Sequence, residues 1–271
     1  MIRPLRSPVV VICGAIVCCL PILAGESRAD LVRTFTALDG VSQAPDANEV
    51  GAGPVNVWTF DAGGTSPVNG GSFLGNSAAN AGGASGAGAG NPAWGIYANS
   101  GAFVTATADI AALAGRNLSL AGDSVSLDFD NGWIDASRFV GVQFFDSFGV
   151  VVSQFSFTGG NANYSLDDVV TTDTGIGFTG DGFEIKLTLT SSTGDYTFEA
   201  NGLSFDSRTL NSFIKDIASI QVFNASAGNS SNQDLFFNTL SISAVPEVSP
   251  TTALSLLAYI GFAIRSHRGC S

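Results

Sequence analysis

Short segments in which apolar and polar residues alternate, separated by clusters of Asp, Asn and Gly, run through most of the middle of this 271-residue chain. The clearest segment is 183–190, in which every second residue is large and apolar. Alternation with period two places one set of side chains on each face of a strand, so the apolar set is predicted to be buried and the polar set to face solvent. The apolar set is Phe183, Ile185, Leu187 and Leu189.

The same pattern, with turn residues about every ten positions, predicts an all-β fold, an antiparallel β-sandwich of jelly-roll-like type. A short helix is predicted over 107–115 from its apolar turn and terminal glycine, and a crossover with a helical turn over 207–216. Predicted strands cover residues 31–38, 55–60, 124–130, 139–145, 150–157, 183–190, 196–200, 217–224 and 235–243.

The first residues of the chain have the form of a secretion signal. Arg3 and Arg6 precede an apolar run over residues 9–24, and small residues stand at 27 and 29. This order of a charged, an apolar and a small-residue region predicts a signal peptide over 1–29, cut by signal peptidase between Ala29 and Asp30 after passage through the export machinery.

The other end carries a second signal. Residues 245–250 read Val-Pro-Glu-Val-Ser-Pro, an apolar segment follows over 251–264, and Arg265 and Arg268 come after it. As a helix this segment would rise only about 21 Å, against about 30 Å of hydrocarbon in a bilayer, so a buried core helix is the alternative to a membrane helix. Arginines on the far side predict that the preceding domain faces outward, because positive charge stays cytoplasmic.

This C-terminal arrangement resembles the PEP-CTERM sorting signal of exported bacterial proteins. The pattern departs from that family at Val248, where a second proline is usual, and at Ser266 and His267, which interrupt the basic cluster. The resemblance implies sorting at the cell envelope, membrane contact through the tail before processing, and cleavage near Val245, Pro246 and Glu247 by a protease of the exosortase type. It also implies a location at the cell surface or in the extracellular matrix.

Composition narrows the chemistry of the region between the two signals. Residues 30–244 carry six basic and twenty-one acidic residues, a net charge of −15, and contain neither His nor Cys. Nucleic-acid binding is disfavoured because it needs a basic patch. Catalysis by His or Cys, and His or Cys sites for zinc, copper, haem or iron–sulfur clusters, are excluded. Carboxylates, amides and aromatics remain, which suit a Ca²⁺ site, a sugar-binding face or a two-carboxylate glycosidase.

We divide this region into N-terminal strands over 30–61, a Gly-, Ala- and Ser-rich flexible loop over 62–92, and a sandwich domain over 93–244, with the sorting tail over 245–271. The loop is predicted because such a composition buries little apolar surface. The last strand, over 234–242, resembles jelly-roll modules of secreted bacterial proteins, including carbohydrate-binding modules. That resemblance implies a fold and a setting but no particular ligand residue.

Three candidate sites follow. Trp94, Tyr97 and Trp133 are candidates for an aromatic platform under sugar rings, against the alternative that they belong to the core. Glu184 and Glu199 are a candidate glycosidase pair if their strands form a hairpin.

The third candidate is a Ca²⁺ site at an acid-rich segment, against the alternative of a solvated Asn-Gly turn. Its candidate ligands are Asp128, Asp130, Asn131 and Asp135.

The sequence thus predicts a non-catalytic β-sandwich that binds or organises extracellular polysaccharide. The alternatives are a secreted carboxylate-dependent glycoside hydrolase and a purely structural envelope component.

Overall fold

A computed structural model describes residues 31–37, 57–65, 68–77 and 92–246. Within these residues, fifteen strands form two sheets whose strand pairs are antiparallel. Sheet A runs in the spatial order β13 (Leu203–Thr209), β12 (Asp195–Ala200), β11 (Phe183–Leu189), β6 (Ser124–Asn131), β15 (Leu235–Ala244), β4 (Ala93–Ala98) and β3 (Gly70–Gly75), and β1 (Leu31–Phe35) also pairs with β15. Sheet B runs in the order β10 (Thr171–Gly177), β9 (Asn163–Asp167), β8 (Val151–Thr158), β7 (Phe139–Phe145), β14 (Ser219–Ala225), β5 (Ala102–Asp109) and β2 (Thr59–Gly64).

The inner faces of the two sheets pack on each other through aromatic side chains. The rings of Phe129 in sheet A and Phe155 in sheet B meet edge to face with centroids 6.3 Å apart, and Phe144 and Phe198 make the same kind of contact at 6.4 Å. Edge-to-face pairs of this kind stabilise a core beyond the area that they bury. The predicted all-β, antiparallel sandwich is confirmed.

Strand β11 shows the alternation that its sequence predicts. Its apolar residues are all buried, whereas Glu184 is exposed and Lys186 and Thr188 are partly exposed. β11 is paired on both sides, with β6 and with β12. A slip of one residue would therefore bury a glutamate and a lysine in the interior of sheet A.

The prediction of a flexible loop over 62–92 is wrong for residues 62–64 and 70–75, which lie in strands. Residues 62–64 continue β2, and Gly70–Gly75 forms β3, which pairs with β4 over six residues. Composition misled the prediction because a glycine-rich segment can join a sheet when a neighbouring strand supplies ladder hydrogen bonds. A close backbone approach even requires glycine here, since a Cβ on Gly64 would stand 2.2 Å from the carbonyl oxygen of Gly101.

The predicted helix is confirmed in a shorter form, and the predicted helical turn over 207–216 is not. Helix α1 spans Ile110–Ala114, with Asp109 as its N-cap and Gly115 in the left-handed conformation after it. β13 extends to residue 209, and the described chain then bends without a helix before β14. The side chain of Ser212 accepts from the amide of Ile214, and such local side-chain bonds compete with helix formation. A 3₁₀ turn spans Ser231–Gln233.

The two predicted signals fall mainly outside the described residues. Residues 1–29 and 247–271, with the processing positions Ala29, Glu247, Arg265 and Arg268, belong to the undescribed part, as does Asp30. Val245 and Pro246 are described and follow β15 directly. Among the residues that are described, no helix has both the length and the apolar character needed to cross a membrane.

Candidate functional site

The outer face of sheet A carries two rows of polar side chains that run across its strands. In the first row Asn238 lies beside Asp128, and Asp128 beside Glu184. In the second row Lys186 lies between Ser126 on one side and Glu199 on the other. Neighbouring strands are about 4.8 Å apart, so each row spaces its groups closely. We call this surface the polar face; it comprises Ser126, Asp128, Glu184, Lys186, Glu199, Ser204, Asn238 and Ser241.

An open groove of about 350 Å³ lies at one end of the polar face. Nζ of Lys186 stands 3.9 Å from Oε2 of Glu199, and the two side chains are 41% and 49% exposed. A tight turn closes the groove at residues 201 and 202, both of which have positive φ. Its lining is Phe183, Glu184, Lys186, Glu199, Ala200, Asn201 and Gly202.

The Asn201–Gly202 turn is a feature that sequence reasoning missed. Two-residue hairpin turns of type I′ need positive φ at both central positions, and Asn-Gly is the pair that adopts it most readily. This dipeptide therefore signalled the hairpin between β12 and β13. Recognising it would have placed an amide beside the two glutamates.

Asp128 is set into the polar face by an irregularity in the next strand. The register between β6 and β15 shifts between Asn238 and Ser241, and Thr239 has φ of 48°, which is rare for a β-branched residue. Burial raises the pKa of Asp128, the charge of Glu184 acts in the same direction, and a hydrogen bond with the Thr239 side chain opposes both. The bulge thus brings the Thr239 side chain to Asp128, whereas a regular strand would point that side chain to the opposite face of the sheet.

Asp130 is the most secluded acid of this surface. The residue is buried, and within the described part of the chain nothing donates a hydrogen bond to its Oδ1. Burial raises its pKa to about 6, helped by the charge of Asp181 and opposed by a hydrogen bond with Ser77. Asp130 is therefore a poor ligand for an external molecule, since the fold covers it.

The candidate Ca²⁺ ligands do not come together. Asn131 points to the opposite face from Asp128 and Asp130, where its Oδ1 accepts from Tyr164 and its Nδ2 donates to the carbonyl of Gly132. Asp135 accepts from Nε2 of Gln233. Over residues 31–37, 57–65, 68–77 and 92–246, no three acidic side chains are placed to hold a metal ion. Period-two alternation is the reason for Asn131, because neighbouring residues of a strand point to opposite faces of the sheet.

The three candidate aromatic residues lie in three different places. Trp94 is 2% exposed and stacks in the core against Phe237, so it cannot meet a surface ligand. Tyr97 is partly buried on the other side of β4, where it packs on Phe73. Trp133 alone is open to solvent, with 63% exposure.

Trp133 follows the end of β6 and is braced by Phe178, whose ring it meets edge to face at 5.6 Å. Its amide donates to the carbonyl of Asn232. Since β11 begins and β12 ends at the same end of the sandwich, Trp133 and the groove belong to one end of the molecule. This aromatic residue is held in place and can offer a face to a ring.

Glu184 and Glu199 lie on one hairpin, as the glycosidase hypothesis requires. Lys186, however, is the residue directly opposite Glu199, and both glutamates are open to solvent. The arrangement can accept hydrogen bonds through carboxylates and donate them through an ammonium and an amide. This is the chemistry of binding hydroxyl-rich molecules.

No protein-family model matches the chain, and no curated protein matches it. In fold it is similar to a sialidase, at 10% identity and a TM-score of 0.49 over 78% of this chain and 19% of the sialidase. It is also similar to a cellulose induced protein, Cip1, at 11% identity and a TM-score of 0.44, over 70% of this chain and 93% of Cip1. A galectin from the ball sponge Cinachyrella sp. shows 9% identity and a TM-score of 0.36, over 50% of this chain and 98% of the galectin.

The chain thus spans about a fifth of the sialidase, and it spans 47% of the receptor binding domain of botulinum neurotoxin D. At these identities and TM-scores the likeness assigns neither a ligand nor an activity to this chain.

Proposed function

We propose that this chain is an exported protein of the cell surface or extracellular matrix whose sandwich binds polysaccharide at the polar face. The observation that carries the proposal is the open groove between β11 and β12, in which Glu184, Lys186 and Glu199 stand beside the amide of Asn201. Ligand sites combine a recess with a few placed polar groups. Here the recess lies at one end of the two polar rows, to which its own charged groups belong.

The charge of this surface selects the class of polysaccharide. The polar face has three carboxylates, on Asp128, Glu184 and Glu199, against one ammonium on Lys186. Carboxylates accept strong charge-assisted hydrogen bonds from hydroxyl groups, whereas they repel sulfate, phosphate and uronate groups. We therefore assign the face to a neutral, hydroxyl-rich polysaccharide, with Trp133 stacking on a sugar ring at the end of the site.

The proposal is of a binding domain and not of an enzyme. A glycosidase would use Glu184 and Glu199 as its acid and its base or nucleophile. Both glutamates are exposed and Glu199 is paired with Lys186, whereas a catalytic site gains from excluding water around the reacting groups. The shared hairpin is the one observation that favours hydrolysis, so a glycoside hydrolase is the second candidate.

Export and sorting complete the proposal and depend on the sequence alone. The charged and apolar start of the chain supports removal of 1–29 by signal peptidase, and the motif at residues 245–250 with Arg265 and Arg268 supports sorting by an exosortase-type protease. A purely structural envelope component would share these signals. Polysaccharide binding is what separates the two functions.

A glycan array with a protein spanning residues 30–246, run beside an assay for reducing-sugar release, tests the binding function. We expect neutral glycans to bind without release, and Lys186→Ala and Trp133→Ala each to weaken binding about tenfold, the effect of roughly 1.4 kcal/mol. Phe213→Ser, which removes an exposed ring at the other end of the sandwich, is the matched control and should bind like the parent. Sugar release would favour the hydrolase, and binding that survives both alanine variants would place the site elsewhere.

A further inference from the structure

Six of the twelve large apolar side chains that are exposed in the described part of the chain lie in adjacent loops at one end of the sandwich. We call it the exit end, because the chain leaves the last strand there at Val245. The pairing of Ser219 with Phe145, and the bond from the Asn211 amide to the Val152 carbonyl, bring the loops at 146–150 and 210–218 to this end. The turn at 168–170 joins them through the ion pair of Arg208 and Asp168. The exposed residues are Phe148, Val150, Val169, Val170, Phe213 and Ile214.

Two of these side chains stand almost clear of the protein. Phe213 is 97% exposed and Phe148 is 75% exposed. Single exposed apolar residues are ordinary on protein surfaces, but a group of large ones in adjacent loops marks a site of interaction. The transfer of an exposed phenylalanine side chain from water into an apolar medium is favourable, because it lowers the free energy.

The loops that carry these rings are tied to each other by hydrogen bonds. Oδ1 of Asp146 accepts from the amides of Phe148 and Val150, and its Oδ2 accepts from Ser212, 2.5 Å away. Asp216 accepts from the amide of Ser147. These hydrogen bonds hold the two loops in place, and the rings of Phe148 and Phe213 stay exposed to solvent.

The charged groups of these three loops are engaged within the protein. Asp146 and Asp216 are buried, Lys215 donates to the carbonyl of Leu210, and Asp168 is held by Arg208 with N–O distances of 2.7 and 2.8 Å. The three loops thus expose apolar side chains, while their own charged groups are bonded within the protein. This favours an uncharged apolar partner over an ionic one.

The position of the chain exit identifies that partner. Both backbone groups of Val245 are held, its carbonyl by Arg116 and its amide by Asp123. The apolar segment of the tail begins at Thr251, six residues further on, and six extended residues span at most about 20 Å. If that segment lies in a membrane, the membrane surface is within about 20 Å of the exit end.

We propose that the exit end rests on the membrane that holds the tail, with Phe148 and Phe213 inserted in the interfacial region of a zwitterionic bilayer. The proposal rests on the export and sorting half of the proposed function and is independent of polysaccharide binding. It orients the sandwich, because the groove and Trp133 at the opposite end then face away from the membrane. A domain held in this way presents its polar face to the surrounding matrix.

The test uses the full chain in phosphatidylcholine vesicles, with Trp133→Phe as the background. Phe213→Trp places a fluorescent ring at the exit end, and Leu203→Trp places one at an exposed site of the opposite end. The buried Trp58 and Trp94 are common to both proteins. With brominated phosphatidylcholine we expect several-fold stronger quenching of the ring at 213 than of the ring at 203. Equal quenching at the two positions, or a full chain that does not bind the vesicles, would overturn the proposal.

Binding of the preferred glycan by the parent chain, in which Trp133 is intact, separates the two proposals. If the ring at 213 is not quenched but the glycan still binds, only the proposal of membrane contact is refuted. If the ring at 213 is quenched but no glycan binds, only the proposal of polysaccharide binding at the polar face is refuted. Phe213 is nearly fully exposed, so its replacement should leave the near-UV circular dichroism of the core unchanged, which verifies folding.

Discussion

Arg116 and Asp123 form a bidentate ion pair, with both N–O distances at 2.7 Å, that closes over the end of the last strand. Asp123 is fully buried, and it also accepts from the amides of Ser119, Leu120 and Val245. Burial by itself would raise the pKa of Asp123, but the bonds from Arg116 and these amides hold it below its usual value. The pair ties the loop before β6 to the residue at which the chain departs.

Removing Asp123 should therefore destabilise the fold strongly. Asp123→Ala leaves three backbone amides and the Arg116 guanidinium without their acceptor, and we expect a loss of about 3 to 5 kcal/mol in the free energy of unfolding. The matched control is Lys186→Ala, which breaks an exposed ion pair and should cost at most about 1 kcal/mol. Urea denaturation measures both, and equal losses would show that the Arg116–Asp123 pair does not hold the fold.

The alternation of β11 gives a second prediction. Leu187 is fully buried, so Leu187→Ala should cost about 2 to 5 kcal/mol through lost burial and the cavity left behind. Thr188 is partly exposed on the opposite face, and Thr188→Ala should change the free energy of unfolding by no more than about 0.5 kcal/mol. Denaturation curves in which the two variants coincide would contradict the packing of β11.

A third prediction concerns pH. Burial raises the pKa of Asp234 to about 7, and Asp130 is raised to about 6. In the unfolded chain both carboxyls ionise near 3.8, so between about pH 4 and 7 the folded state binds more protons than the unfolded state. Stability must then fall as pH rises through this window, by an amount on the order of a few kcal/mol.

Asp234→Asn should flatten that fall. The variant keeps its side chain neutral at every pH, so we expect it to unfold like the parent near pH 4 and to be more stable than the parent at pH 8. Thermal unfolding followed across this range measures the effect, with Thr188→Ala as a control whose profile should run parallel to that of the parent. A parent whose stability does not decline between pH 4 and 7 would contradict the burial of ionisable Asp234.

Below about pH 4 the trend should reverse, because other carboxyls have lowered pKa values. Hydrogen bonds from Ser212, Val150 and Phe148 outweigh burial and hold the pKa of Asp146 below its usual value, and Asp123 is lowered as well. Groups of this kind stabilise the fold only while they are ionised, so their contribution is lost as they are protonated. We therefore expect the fold to be most stable near pH 4 to 5.

The sequence predicted those strands in which large apolar residues alternate. Segment 139–145 is β7 to the residue, and 183–190 exceeds β11 by one. It failed where strands are built from small or polar residues: β3 reads GGSFLG and β10 reads TTDTGIG. Such strands form because neighbours supply their ladder bonds, and that is a tertiary effect without a local signal.

The candidate site was only partly predictable for the same reason. Alternation placed Glu184 and Lys186 on the wet face of β11, and the hairpin brought Glu199 beside them. The strand order that sets Asp128 next to Glu184 is a long-range pairing. Trp94 and Trp133 looked equivalent in the sequence, yet one faces the core and the other follows the end of a strand.

Strand β15, the last strand of the described residues, is an interior strand of sheet A. It pairs with β6 on one side, and its other side is shared by β4 and β1, whose Leu31 lies opposite Ala244. Pairings this distant in sequence form late, because a long loop must close before they are made. Sheet A is therefore incomplete until residue 244 has emerged: up to that moment β1 has no partner strand among the described residues, and β6 has only one of its two.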